Sequence, residues 1–419
     1  MRIQDVSSKI NEPLAPDLLA PYWEETVADD DGSTPDFLTP ACVTRNRQDS
    51  GLPPEADGPL LEAARRIASD RTLRLLARHC YRLLYDYADY NAFHNWPTFK
   101  PALGELGEVF YLLILLAAAP LIRVTHAGLG IPEAISRDTC NRLVGAERFR
   151  VTHNGHWGAG RRALYWVRHY VNGRLYRIGR MEYMLEKYNG NVEAYRNMAT
   201  GETLALAPNN VCFNAQGQVV KAPVPDPAAT WTATLQTTRD HVMGYPVSPF
   251  GMAMRQQVRL PLDTWRRVLS KGDWTMDMHI PPGGRMTPDS CVESMRRGAD
   301  FFKRFFPGQP FTSISCVSWI FNTQLEQILP PTANLVLFQR ELYLYPVPST
   351  GKDGFVFIFD RDDVTPENGP RETSVQRAIL DFLATGQTWR NGGMFFLVED
   401  LPCFGWQIYR AQWEKNKAV

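Results

Sequence analysis

The chain has 419 residues, which is enough for two or three domains with sizeable cores. Its 45 lysine and arginine residues balance 45 aspartate and glutamate residues, which argues against binding nucleic acid or an anionic membrane through bulk charge. Seven cysteines occur without a CxxC pair or regular spacing, which argues against a disulfide framework or a zinc site and predicts reduced thiols in a cytoplasmic protein.

The N-terminal third is predicted to be mostly helical. Residues 1–19 lack the basic segment and continuous apolar core of a signal peptide. Residues 29–54 show little periodicity. The apolar run 109–122 is too short to span a bilayer and contains Pro120, which favours a buried helix. Helices are expected over residues 15–25, 60–69, 72–87, 103–119 and 135–144.

Histidines are densest just after this region, at His153, His156 and His169. The spacing of the first two suits a pair of metal ligands, but no third ligand of fitting spacing follows. Polar loop histidines with ordinary hydrogen bonds are therefore favoured, and no metal is predicted.

A short helix over residues 161–170 is followed by a change to strand-like patterns. Residues 214–217 predict a hairpin turn, residues 223–227 a loop, and residues 261–269 a short helix. Strands are expected over residues 175–184, 202–206, 211–214, 219–222 and 232–238.

Residues 274–306 read as strand, turn and amphipathic helix. Apolar and polar residues alternate over residues 274–280, the period of a half-buried strand. Two prolines and two glycines at residues 281–284 then predict a turn. Thr287 is a suitable N-cap, followed by a proline at the first helical position and an acid in the first turn, so the helix should begin there.

A helix N-terminus after a glycine turn presents unpaired N–H groups and a positive dipole end, which suits a phosphate. Plain turn chemistry explains the same glycines. The candidate donors are the backbone amides of Gly283, Gly284, Arg285 and Met286, assisted by the Arg285 guanidinium.

The C-terminal part alternates further strands and helices. Strands are expected over residues 311–321, 335–346, 355–359 and 394–399, and helices over residues 324–329 and 373–384. The strands at 274–280 and 311–321 should be parallel neighbours joined by a right-handed crossover.

The segments DMHIPPGGRMTPDSCVESMRRGADFFKRFFP, SCVSWIFNTQLEQILPPTANLVLFQRELYLYPV and LYRIGRMEYML make the chain resemble the GNAT-type N-acyltransferases, in a bacterial branch with a separate N-acyltransferase N-terminal domain. The resemblance covers roughly residues 10–360. It implies an α+β fold with a mostly helical N-terminal domain, residues 1–150, followed by a GNAT-like mixed sheet with flanking helices, residues 151–360. Residues 361–419 are expected to form an ordered extension packed on the GNAT-like domain.

The resemblance also implies an acyl-coenzyme A donor. The fourth and fifth strands, residues 274–280 and 311–321, would splay apart so that the pantetheine arm binds as an extra strand, with the pyrophosphate on the turn. The implied binding residues are Met278, Ile280, Gly283, Gly284, Arg285, Met286, Thr287 and Ser318. The family's usual turn is Q/R-x-x-G-x-G/A, whereas two prolines here remove two amide donors. An acyl carrier protein therefore stays open as the donor.

Acyl transfer to an amine requires a base, a polarised thioester carbonyl and a proton for the leaving thiolate. Backbone N–H groups near residues 277–280 would polarise the carbonyl. His279 is the first candidate base, since imidazole titrates near neutral pH, and strand alternation places Asp277 on the same face. Glu182 is the second candidate, acting through water.

Each candidate also has a structural interpretation. His279 can be a satisfied strand-end residue, and Glu182 can pair with Arg180 or Arg177. Tyr343 and Tyr345 alternate on a late strand, and either is a candidate to protonate the thiolate, although core packing is favoured. Cys316 is a conceivable nucleophile, although buried cysteines are mostly inert.

The leading interpretation is an N-acyltransferase that moves an acyl group, expected to be acetyl, directly from coenzyme A to a small-molecule amine. A non-catalytic acyl-CoA-binding or sensing protein is the alternative. A third is a helical interaction scaffold using aromatic residues between Tyr81 and Trp96. Dispersed basic residues argue against nucleic acid as a partner, and the acceptor, the acyl length and the oligomeric state are left undetermined.

Overall fold

The computed structural model describes residues 1–12, 19–88, 96–143, 157–221 and 230–417. The chain divides into two compact units, Met1–Ile178 and Gly179–Val419, each with its own buried apolar side chains. The histidines at 153 and 156 and the loop expected over residues 223–227 lie outside the described residues, as does part of the helix expected over residues 15–25.

The first unit is helical, as the apolar periodicity predicts. The helix Arg71–Tyr85 begins where the Asp70 carboxylate accepts hydrogen bonds from the amides of Thr72 and Leu73. The α-helices of the unit are Gln4–Ile10, Trp23–Ala28, Pro40–Asp49, Asp57–Ser69, Arg71–Tyr85, Lys100–Leu103, Gly107–Leu116, Ala118–Gly128, Glu133–Cys140 and Arg161–Val171; the 3₁₀ helices are Asp36–Leu38, Pro54–Ala56 and Gly104–Leu106, and one strand is β1 (Tyr176–Ile178).

The helix Pro40–Asp49 lies in a stretch where the sequence predicts no periodic element. Its buried residues are Val43, Asn46 and Arg47, so the inward face is mostly polar and gives no apolar stripe. Arg47 is neutralised there by Asp57, with two hydrogen bonds of 2.8 and 2.9 Å. A partly buried ion pair thus replaces the apolar contacts on which sequence periodicity depends.

The helical stretch that contains the apolar run extends beyond residues 103–119, where the sequence predicts a helix. Pro120 sits in the first turn of Ala118–Gly128, where a missing N–H removes no helical hydrogen bond, and it does not end the helical stretch. Lys100–Gly128 is the one helical stretch among the described residues whose length and composition would allow it to cross a membrane. Within its most apolar window, 72% is buried inside the structure, as in a core helix.

The second unit is built on a mixed sheet. Its strands are β2 (Met181–Lys187), β3 (Glu193–Asn197), β4 (Thr203–Leu206), β5 (Cys212–Asn214), β6 (Thr230–Thr232), β7 (Gln236–Thr237), β8 (His241–Gly244), β9 (Pro246–Ser248), β10 (Met252–Ala253), β11 (Val258–Pro261), β12 (Trp265–Leu269), β13 (Trp274–His279), β14 (Ser313–Ser318), β15 (Tyr343–Pro346) and β16 (Gly392–Leu397). The main sheet of the unit runs β2-β13-β14-β16-β15.

The predicted parallel pair is confirmed in the centre of this sheet. β13 is parallel to β14, and β2 is antiparallel to β13 in the register His279↔Glu182 to Trp274↔Lys187. β16, from the expected C-terminal extension, pairs antiparallel with both β14 and β15. The extension therefore contributes a strand to the interior of the sheet.

The helix Pro288–Phe305 connects β13 to β14 and packs on β2 and β13. Gly298 permits this close approach, because a Cβ atom there would lie 3.1 Å from the Tyr183 ring and 3.2 Å from the Met276 sulfur. The Ser294 hydroxyl accepts a hydrogen bond of 3.0 Å from the amide of Met181. This hydrogen bond joins the helix to the start of β2.

Three elements expected in this unit are wrong. Residues 261–269 form the end of β11 and the strand β12, not a helix; Arg266 and Arg267 of β12 pair with β3. Residues 335–341 lie in a helix and only residues 343–346 in a strand. Residues 355–359 form a short helix whose Phe355 and Phe359 join a core around Trp389. In the last two cases β-branched and aromatic composition predicts strands, and tertiary packing overrides it.

The remaining elements flank the main sheet. The smaller sheets are β10-β9-β4-β3-β12, β11-β8-β7 and β5-β6. The Tyr343 hydroxyl connects β15 to the first of these, donating to the Val247 carbonyl at 2.5 Å and accepting from the Ala205 amide at 3.0 Å. The other α-helices are Leu325–Ile328, Asn334–Glu341, Phe355–Phe359, Ser374–Ala384 and Ile408–Lys417, with 3₁₀ helices Trp319–Phe321 and Val398–Cys403.

Candidate active site

The two parallel strands in the middle of the main sheet separate toward their C-terminal ends. β13 and β14 pair only at Met276↔Ile314 and Asp277↔Ser315 in the described structure. β13 nevertheless continues beside β2 to His279, and β14 continues beside β16 to Ser318. Beyond these two pairs, β13 still pairs with β2 and β14 still pairs with β16, but β13 and β14 no longer pair with each other. This leaves a wedge-shaped gap between them, called the wedge below.

The β2 ladder fixes which backbone groups of β13 face the wedge. Alternate residues of a strand direct their N–H and C=O groups to opposite neighbours. The amide of Tyr188 donates to the carbonyl of Asp273 at 2.8 Å. The odd-numbered residues of β13 therefore direct their backbone N–H and C=O groups to β2. The carbonyl of Met278 and the amide of Ile280 therefore point into the wedge.

The pairing with β16 likewise fixes which backbone groups of β14 face the wedge. The amide of Val398 donates to the carbonyl of Thr312 at 2.9 Å. The even-numbered residues of β14 therefore direct their backbone N–H and C=O groups to β16. The N–H and C=O of Val317 point into the wedge, and the Val317 side chain is 53% exposed. Ser318, which the sequence analysis selects, directs its backbone to β16, and its hydroxyl accepts a hydrogen bond from the Ile320 amide.

Three ionisable side chains meet beside the wedge. Directly opposite residues of an antiparallel pair project to one face, so Glu182 and His279 share a face, and Asp277 joins them by strand alternation. His279 Nε2 lies 3.0 Å from Asp277 Oδ2, and each of these side chains is 27% exposed. Glu182 is 3% exposed.

Neighbouring carboxylates raise the pKa of this histidine. Burial alone lowers the pKa of His279, but the hydrogen bond to Asp277 and the negative charges of Asp277, Glu182 and Glu186 outweigh it, so the pKa is raised. The arrangement stabilises an imidazolium, which is the state that a base reaches after it accepts a proton.

The turn after β13 lies at the same edge of the sheet. Gly283 and Gly284 have φ angles of 85° and 74°, which favour glycine, and both are exposed. Within the described residues, the amides of residues 283–286 donate to no other backbone group. The Met286 side chain is buried and anchors the turn, whereas Arg285 is exposed.

The following helix begins at Pro288, as predicted. The Thr287 hydroxyl accepts a hydrogen bond of 3.3 Å from the Ser290 amide, so this side chain acts as the N-cap. Its hydroxyl oxygen accepts this bond, and the O–H of the same group can still act as a donor. A helix N-terminus that directly follows backbone amides without backbone acceptors in the described structure suits an anion.

The two tyrosines of β15 are both buried. Burial raises the pKa of Tyr343, whose hydroxyl is occupied by two backbone groups of the adjacent small sheet. Burial also raises the pKa of Tyr345, whose ring lies against Gly393. The structure does not bring the Tyr343 hydroxyl together with His279 and Glu182.

Cysteine and metal chemistry have little support in the described residues. Cys316 is buried, and this burial raises its pKa well above the ordinary thiol value, which disfavours a thiolate nucleophile. All seven cysteines are free thiols. Across the described ranges, no group of three or more histidine, cysteine, aspartate or glutamate side chains is arranged to hold a metal ion.

Two domain-family models match this chain. The family model described as a GNAT-like C-terminal domain matches residues 175–396, and the model of the N-acyltransferase N-terminal domain matches residues 45–173. No curated protein sequence matches the chain.

Solved structures share the fold at low identity. An acyltransferase in complex with decanoyl-CoA and teicoplanin is 18% identical with a TM-score of 0.61, covering 95% of this chain and 100% of that chain. An acyltransferase variant in complex with octanoyl-CoA is 18% identical with a TM-score of 0.60, covering 95% and 99%. A complex with CoA and 10C-teicoplanin has a TM-score of 0.61 at 18% identity, covering 95% of this chain and 100% of that chain.

Proposed function

Because the chain belongs to the GNAT-like N-acyltransferase family, in which an N-acyltransferase N-terminal domain precedes a GNAT-like C-terminal domain, we propose that it transfers an acyl group from coenzyme A to a small-molecule amine. The observation that carries this proposal is the wedge between β13 and β14. An extended pantetheine arm has amide groups that can pair with the exposed strand edges as an additional strand does.

The donor would lie along the wedge with its thioester beside His279. The Met278 carbonyl and the Val317 N–H and C=O are the groups that would pair with the pantetheine amides, and the Ile280 N–H would lie nearest the reacting carbonyl. The diphosphate would rest on the amides of residues 283–286, with Arg285 supplying charge. The open amides at this turn support the assignment.

His279 is the proposed base. It would take one proton from the acceptor ammonium, and the free amine would attack the thioester carbonyl. The C–S bond would then break, and the thiolate would leave with the second proton, which the nitrogen loses as the amide forms. The Asp277 carboxylate at 3.0 Å from Nε2 holds the ring and stabilises the imidazolium that forms. Glu182, directly opposite on β2, is the second proposed base.

The acyl length and the acceptor are finer proposals. Acetyl is the acyl group expected from the resemblance, whereas similar structures hold decanoyl-CoA or octanoyl-CoA, which supports testing a medium-length chain as well. Teicoplanin in one of those complexes supports a small-molecule acceptor for this chain. The seven free thiols support a cytoplasmic location.

Calorimetric titration with acetyl-CoA and decanoyl-CoA, followed by thioester consumption with a panel of amines, tests the proposal. Micromolar binding and amine-dependent thiol release are expected. Binding without release by any amine would support the non-catalytic binding protein. No binding to either donor would remove coenzyme A as the donor and favour an acyl carrier protein.

A further inference from the structure

We propose that Arg180 is a binding residue for the diphosphate of the acyl-CoA donor, a role that rests on the function proposed above. From the sequence alone, Arg180 is only a candidate partner for Glu182. Its position relative to the turn after β13 indicates a different role.

Arg180 directly precedes β2, which is antiparallel to β13. The register that pairs Glu182 with His279 therefore places Arg180 at the same edge of the sheet as the turn. Its Nη1 donates a hydrogen bond of 2.9 Å to the carbonyl of Pro281, the first residue of that turn. This contact links two segments that are 101 residues apart in the chain.

Two further observations locate the guanidinium. A Cβ atom at Gly284 would lie 3.7 Å from Arg180 Nε and 3.8 Å from its Cδ, so the side chain runs alongside the second glycine. The charge of Arg180 also affects the pKa of Cys291, in the first turn of the following helix. Burial raises the pKa of the Cys291 thiol to about 11, and the positive charge of Arg180 acts in the opposite direction.

The composition of the turn explains why such a charge is needed. Pro281 and Pro282 have no N–H groups, so the first two residues after the strand offer no amide donors. A diphosphate carries strongly localised negative charge, and a planar guanidinium binds phosphate oxygens through parallel hydrogen bonds. Arg180 supplies from a neighbouring strand the donors that the prolines remove. The carbonyl of Pro281 holds the guanidinium in place.

Calorimetry with decanoyl-CoA and S-decanoyl-pantetheine tests this role, because the second ligand has the same acyl and pantetheine groups but no diphosphate. Arg180→Ala should weaken binding of decanoyl-CoA by about tenfold or more, the scale for losing a hydrogen bond to a charged group. Binding of S-decanoyl-pantetheine should be unchanged. Arg297→Ala, which removes an exposed arginine from the Pro288–Phe305 helix, should leave both affinities unchanged.

A second variant separates charge from general damage. Arg180→Gln keeps an amide donor for the Pro281 carbonyl but loses the charge, so it should still lose affinity for decanoyl-CoA alone. Equal weakening of both ligands, or unchanged affinity for decanoyl-CoA, would overturn the role of Arg180. Wild-type protein that binds neither ligand would instead remove the acyl-CoA function on which the role rests.

Discussion

Replacing Asp277 by asparagine tests the pairing at the candidate base. The carboxylate lies 3.0 Å from His279 Nε2. At an effective dielectric constant of about 20, this separation gives an attraction of about 5 kcal/mol as an upper bound. Both side chains are 27% exposed, and both ions lose solvation, so we expect a net contribution of about 1 kcal/mol.

The sign of the pH dependence follows from the raised pKa of His279. A group whose pKa is higher in the folded than in the unfolded state stabilises the fold below the unfolded pKa, and this stabilisation is lost as pH rises through the folded pKa. Denaturant unfolding should therefore show a larger difference between wild type and Asp277→Asn at about pH 5 than at about pH 9. An equal difference at both pH values would contradict the ion pair.

The pH profile of kcat/KM gives the catalytic test. A base must be unprotonated to act, so activity falls as pH decreases through its pKa. Removing the Asp277 charge lowers the pKa of His279 and should move the acid limb to lower pH. The maximum rate should fall by about tenfold, at the lower end of the scale for acid–base catalysis, because the ring loses its partner.

Glu293→Gln is the matched control, since Glu293 is an exposed carboxylate on the Pro288–Phe305 helix. Its acid limb should coincide with that of wild type. An acid limb that stays in place in Asp277→Asn would refute the assignment of His279 as the group that titrates.

Three other substitutions give separate expectations. His279→Ala should lower turnover about a hundredfold while leaving acyl-CoA affinity intact, and wild-type turnover would exclude it as the base. Tyr343→Phe should cost about 1–3 kcal/mol in denaturant unfolding because two buried backbone groups lose their partner, with activity retained; a stable but inactive variant would instead make it the proton donor. Gly392→Ala should destabilise by about 1–3 kcal/mol, because its Cβ would lie 2.0 Å from the Phe321 carbonyl oxygen, and an unchanged unfolding midpoint would contradict that contact.

Local signals were sufficient to predict the central motif. The alternation over residues 274–280 and the cap at Thr287 predicted β13 and its following helix, which the structure confirms. The parallel pairing of β13 with β14 followed from the strand-helix-strand order. These features depend on neighbouring residues, so a sequence window contains the information.

Features that depend on distant pairing escaped prediction. Val317 faces the wedge because even-numbered residues of β14 pair with β16, a strand about 75 residues later in the chain. Arg180 reaches the turn through the antiparallel register of β2 and β13. Neither register can be read from local composition, so the resemblance points to Ser318 where the structure directs the backbone of Val317 into the wedge.

The most direct test of the account is a crystal structure of the protein with decanoyl-CoA. We predict an extended pantetheine arm in the wedge, within hydrogen-bond distance of the Met278 carbonyl and the Val317 backbone, with the diphosphate on the amides of residues 283–286. A donor bound elsewhere, with β13 and β14 still separated and empty between them, would contradict the proposed site.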